Sequence, residues 1–178
     1  MSLFLLVFGC NNMQAQDTQY NEYEVKAAYI VNFSKFVTWP DEAFSSESSP
    51  FVIGVYKNEQ ISTYLKKMLL NKRILGRMPI IKNFSKPEDI SKCQILFIGK
   101  VDKQELNEIY KKVKDQPVLT VGDNISEFCE SGGMINFTHQ YSKYRFEINN
   151  NAATKAKIKI SSKLLALAKI VTEDEIKF

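Results

Sequence analysis

The chain has 178 residues, 44% of them hydrophobic, which suits one domain with a buried core. Its net charge is +4, from 24 basic and 20 acidic residues spread along the sequence, and no aromatic residues interleave with the lysines of the densest basic stretch, 155–163. That pattern argues against a nucleic-acid partner.

Residues 3–9 form an apolar run too short to span a bilayer, followed by a polar stretch at 11–18. Together they read as the end of an export signal, so 1–18 is assigned to a leader and 19–178 to the folded domain. Cleavage after Ala15 would release a soluble periplasmic protein. Val7-Phe8-Gly9-Cys10 resembles a lipobox, and lipidation of Cys10 would instead give a membrane-anchored lipoprotein. Both routes lead out of the cytoplasm.

A helix is predicted over 21–37. Glu22 and Glu24 suit its dipole, and Val25, Ala28, Tyr29, Asn32, Phe33 and Phe36 recur at helical spacing, with only Asn32 breaking the apolar face. Pro40 stops it, and the serine-rich stretch 43–50 reads as a surface loop. FVIGVY at 51–56 has the composition of a buried strand. Asn58 can cap a helix reaching residue 70, with Ile61, Tyr64, Leu65, Met68 and Leu69 inward.

A turn at 72–76 leads to a strand at 78–83, which Pro79 marks as an edge or a strand start. ILFI at 95–98 is wholly apolar and therefore central. An amphipathic helix follows at 103–113, then a strand at 118–121 and a short helical turn from Ser126 to Cys129. Gly132-Gly133 opens a hairpin of strands 134–138 and 144–148. A long closing helix is expected over 151–171, with lysines 155–163 on its solvated side. This alternation specifies an α/β fold: a single-domain layered sandwich, its central sheet mostly parallel with helices on both faces, and an antiparallel C-terminal edge hairpin.

Chemistry is sparse. Gly99 and Gly122-Asp123 follow strands, where open α/β sheets bind ligands, yet neither belongs to a dinucleotide or phosphate-loop motif. No HExxH, CxxC or GxSxG occurs, so no catalytic residue is assigned and the chain reads as a non-enzyme. Alternation along 144–148 puts Tyr144, Phe146 and Ile148 on one face, Arg145 and Glu147 on the other. Arg145 and Glu147 are either a solvated ion pair or a polar binding site, with Arg145 forking onto a carboxylate or phosphate. Trp39 and Phe44, at the exit of the first helix, are candidate interface anchors, with core packing as the alternative. Cys93 and Cys129 read as buried free thiols or as one disulfide. Two thiols with the single histidine, His139, do not make a zinc site, and no cofactor is expected.

Several ordered stretches are similar to YfiR-like proteins. They begin with YEVKAAY at 23–29 and NFSKFVTWP at 32–40, then CQILFI at 93–98 and LTVGD at 119–123. GGMINF at 132–137, FEIN at 146–149 and KISSKLL at 159–165 complete the set. The resemblance covers nearly all of the mature chain. It implies a periplasmic α/β homodimer that binds and represses a membrane signalling protein: a sensor kinase or, as in the best-known member, a diguanylate cyclase of cyclic di-GMP signalling bound at its periplasmic sensor region. That member responds to redox state through disulfides. Cys93 and Cys129 match cysteine positions there, making them redox candidates, although their usual partners are not evident in this chain. The alternative is a periplasmic small-molecule-binding module feeding a membrane sensor, its ligand near Arg145.

Overall fold

The computed structural model describes residues 21–140 and 143–175, so the leader with Cys10 lies outside the described residues. The elements begin with α1 (Glu22–Phe36), β1 (Val37–Thr38), β2 (Phe51–Tyr56), α2 (Glu59–Leu69), β3 (Pro79–Phe84), β4 (Ile95–Ile98), α3 (Lys103–Val113) and β5 (Leu119–Asp123). The chain continues through β6 (Ile135–Gln140), β7 (Lys143–Ile148), α4 (Asn150–Lys155), β8 (Lys159–Ile160), α5 (Ser162–Leu165) and β9 (Lys169–Ile170).

Seven strands form one sheet in the order β3-β2-β4-β5-β6-β7-β9, while β1 and β8 pair separately. The run from β3 to β6 is parallel, and β7 returns antiparallel to β6. Helices cover both faces, which is why FVIGVY and ILFI are buried at every position instead of alternating. On one face α1 and α2 bring Ala27, Ile30, Phe33, Ile61 and Leu65 against Ile53, Phe97, Val121 and Phe137. On the other, α3 packs Leu106, Ile109 and Val113 into a second cluster with Tyr56, Leu96, Ile98 and Phe128. Each such large side chain contributes about 1.5–3 kcal/mol on burial. The strand order reverses between β2 and β4, the doubly wound arrangement that opens a crevice at the carboxyl ends of those strands.

Local signals explain most element boundaries. Asn21, Asn58 and Asp102 cap α1, α2 and α3, each accepting a hydrogen bond from a backbone N–H of the first turn. Pro79 stands at the first position of β3, an edge strand as its proline requires.

Four expectations are corrected. The buried face of α1 is Lys26, Ala27, Ile30, Phe33 and Ser34, not the stripe of Val25, Ala28 and Asn32. The Lys26 ammonium bonds inward to Asp123 and the helix is rotated to suit it. Residues 126–132 form turns without a helix. The terminal hairpin is not itself the sheet edge, because β9 adds parallel to β7 through Glu147↔Lys169 and Ile148↔Ile170.

The long closing helix is also absent, broken into α4, β8, α5 and β9. Lys157-Ile158-Lys159-Ile160 alternates with a period of two, and Lys157 takes a left-handed φ of 59° that ends the helix. Ile158 is buried, Ile160 pairs with Val37, and Ser161 caps α5 by accepting from the Leu164 N–H.

Candidate functional site

At the strand-order reversal, the carboxyl-end crevice is occupied by the chain's own polar groups. Gly99 is a close-approach glycine, since a Cβ there would lie 2.6 Å from the Lys57 carbonyl oxygen. The Tyr56 phenol and the Lys57 ammonium both donate to Glu105 Oε1, each at 2.5 Å. The Lys57 hydrogen bond, then that of Tyr56, hold the Glu105 carboxyl below its usual range. Burial, reinforced by Glu105, pushes the Tyr56 phenol up.

Beside this group, Asp123 accepts from Lys26 and, at 3.3 Å, from Asn58 Nδ2, while Lys26 also bonds Glu22. Burial works against the charge on Lys26. The hydrogen bonds to Asp123 and Glu22 outweigh it, and the net shift is upward. The first group ties β2 to α3 and the second ties α1 and the start of α2 to β5, both at the carboxyl edge of the sheet. Three hollows remain along this edge: about 440 Å³ at the ends of β2 and β3 beside Lys57, Asn58 and Asn83, about 250 Å³ beside Asp102 and Ser126, and about 210 Å³ lined by Glu22, Lys26, Asn124, Phe137, Thr138 and His139. Among the described residues no group of three or more His, Cys, Asp or Glu could hold a metal ion.

The residues singled out from sequence are dispersed. Trp39 is only 6% exposed, its indole donates to the Gln94 carbonyl oxygen at 3.0 Å, and its ring meets Phe51 edge-on. Phe44 is half-buried under the Arg77 guanidinium, 3.9 Å from the ring centroid. Arg145 is exposed on β7 opposite Thr138. Glu147, on the same strand face, is buried and accepts from Asn136 Nδ2 at 3.0 Å. That face is therefore solvated at Arg145 and covered at Glu147.

Cys93 and Cys129 are both buried and free. Burial pushes the Cys93 thiol up to about 12, and the Cys129 thiol is raised in the same way, with Glu147 adding to it. Cys93 lies against Gly54 on β2 and Cys129 against Met134 at the start of β6. The two thiols thus sit beside different strands, and no disulfide joins them.

Gln94 escaped sequence reading. It is buried, with Oε1 accepting from the Val52 N–H, Nε2 donating to the Ala43 carbonyl and its own carbonyl receiving Trp39. Its signal was a polar residue directly before a wholly apolar strand.

Two further features stand out. Among the described residues no strand pairs with the outer edge of β3, and the segment 70–80 exposes Leu70 (70%), Leu75 (55%), Met78 (55%) and Ile80 (42%). Ile74 and Arg77 exchange backbone hydrogen bonds around Leu75 and Gly76, at φ 50° and 76°, a tight turn with an exposed leucine at its tip. At the amino ends of β5 and β6, a cavity of about 580 Å³ lies between the end of α3 and α4, with Val118, Met134 and Ala152 among its walls.

Residues 23–169 match the family model described as YfiR/HmsC-like. Among solved structures, a conserved domain protein from Vibrio cholerae aligns with 85% of this chain and 60% of its own, at 14% identity and a TM-score of 0.54. The ABC domain in complex with L-Trp from Streptococcus pneumoniae aligns with 84% of this chain and 60% of its own, at 12% identity and a TM-score of 0.53. These likenesses concern the fold, and the chain spans about 60% of the length of each. Comparison with curated proteins finds no match.

Proposed function

The chain belongs to the YfiR/HmsC-like family, and from that premise we propose a periplasmic, non-enzymatic regulator that binds and represses a membrane signalling protein. The partner in this reading is the periplasmic sensor region of a diguanylate cyclase, or of a sensor kinase acting in its place. The family is one of regulators of diguanylate cyclase signalling. No helix among the described residues is long and apolar enough to cross a membrane.

The observation that carries the reading is the outer β3 edge, unpaired among the described residues, with the exposed Leu70, Leu75, Met78 and Ile80. Exposed large apolar side chains beside an unpaired strand edge suit a protein partner that adds main-chain hydrogen bonds and covers the leucines. Leu75 reinforces it. A branched side chain held in the left-handed region at a turn tip is locally unfavourable, and such residues cluster where binding requires them.

The test is retention of detergent-solubilised membrane proteins on the immobilised chain, beside Leu75→Asp. One membrane cyclase or kinase with a periplasmic region should be retained by the parent and lost by the variant. Equal retention by both would remove the β3 edge from the reading, and no specific retention would remove the regulator itself. A second reading, a small-molecule-binding module feeding a membrane sensor, is favoured by the 580 Å³ cavity. Arg145, its first candidate residue, is exposed on β7, whereas the cavity lies at the opposite end of the strands.

A further inference from the structure

The cavity between α3 and α4 has a division of labour that a gap between two packed helices does not require. Its inner wall is apolar, made by Val113, Val118, Met134, Ala152 and Ala156. Three of the polar side chains set into that wall are already engaged. Tyr110 donates its hydroxyl to the Phe128 carbonyl at 2.9 Å and so presents ring to the cavity. Thr120 Oγ1 accepts from the Met134 N–H, and Asn149 caps α4 while donating to the Cys129 carbonyl at 2.7 Å. The inner wall therefore offers area more than hydrogen bonds.

Charge is confined to the rim. Lys111 and Lys114 come from α3 and the residue after it, Lys155 comes from the last turn of α4, and Asp115 is the single acid among the residues that line the space. Three lysines to one acid among the lining residues give a net positive mouth over an apolar floor. The volume of about 580 Å³ falls within the range of small-molecule sites, about 300–1,000 Å³.

We infer that this cavity binds a small organic anion, an apolar body seated on Val118, Met134 and Ala152 with its carboxylate or phosphate held at Lys111, Lys114 and Lys155. Rim lysines draw in such an anion by charge, and the dry wall rewards its apolar part. The site is independent of the β3 edge and of the partner reading: either can fail while the other stands. It lies at the amino ends of β5 and β6, where the crevice rule for doubly wound sheets does not look.

The experiment titrates the purified protein with naphthoate, decanoate and naphthyl phosphate, and with naphthylmethylamine as a cation of matched body. Binding is followed by calorimetry and by amide chemical shifts. Naphthoate or decanoate should bind saturably and at least tenfold more tightly than the amine, with shifts centred on Val118, Ala152 and Ala156. The phosphate arm separates the two head groups, and the aliphatic arm separates chain from ring.

Reversing exposed charge in the Lys111→Glu, Lys155→Glu double variant should weaken the anions at least tenfold while leaving near-ultraviolet dichroism unchanged. Ala152→Phe, which fills the floor, should weaken all bodies alike. Absence of saturable binding by every anion, equal binding of the amine, or affinity indifferent to both variants would each overturn the assignment.

Discussion

Leu75 and Gly76 occupy adjacent left-handed positions, and only the second is filled by a residue that tolerates one freely. A leucine there costs about 1 kcal/mol relative to a residue at ease in that region. Leu75→Asn is therefore expected to raise stability by about that amount, a gain of about 2–4 °C in thermal midpoint for a chain of this size. The same change should reduce retention of the membrane partner, and calorimetry beside the binding assay checks both.

Cys93 gives a second expectation. Its thiol is held up to about 12 by burial, whereas an unfolded thiol titrates near about 8.5. Between those values the folded state keeps a proton that the unfolded state has lost, so stability falls as pH rises from about 9 towards 12. The slope is at most about 1.4 kcal/mol per pH unit from this one group. Urea midpoints measured under reducing conditions should be flat at neutral pH and decline above pH 9, less steeply in Cys93→Ala. Both cysteines should resist thiol reagents until the chain unfolds, because each is buried.

Between elements, the tie at the carboxyl edge is Lys26 of α1 bonded to Asp123 of β5, with Asn58 joining from the start of α2. Lys26→Ala removes the cation and leaves Asp123 partly buried with Asn58 alone. The expected cost is about 3 kcal/mol, read as a drop in the urea midpoint without change in its slope. The Lys26 pKa is raised on folding, so its contribution is complete below the unfolded value near about 10.4 and is lost as pH rises through the folded one. Elements with their own caps and periodicity were legible in advance: α2 and α3 carry Asn58 and Asp102 and inward stripes at helical spacing. The segment after Asn149 was not. Its lysines and small residues fit a helix when read at large, and the period of two in Lys157–Ile160 decides otherwise only because β1 is there to pair with β8.

For the whole molecule, β3 and β9 are the outermost strands of the sheet among the described residues. Besides the β3 edge, the β9 side exposes Leu167 and Ile170. If β3 takes the membrane partner, the homodimer implied by the resemblance is expected at β9. Leu167→Asp should then lower the mass seen in sedimentation while leaving partner retention intact, and Leu75→Asp should do the reverse. An unchanged mass in Leu167→Asp would place self-association elsewhere. The sequence by itself determined the alternation of strands and helices, the central place of ILFI, the edge character that Pro79 confers and the family. Each of these is written in local chemistry: period, caps, proline and short ordered motifs. Only the tertiary structure decided that Trp39 belongs to the core, that Glu147 is covered while Arg145 is not, and that Cys93 and Cys129 are separate buried thiols. It also turned Lys26 inward and opened a lysine-rimmed cavity at the amino end of the strands. These facts depend on which faces meet across the sheet, and a side chain's neighbours across a sheet are set by strand order, which no local pattern records.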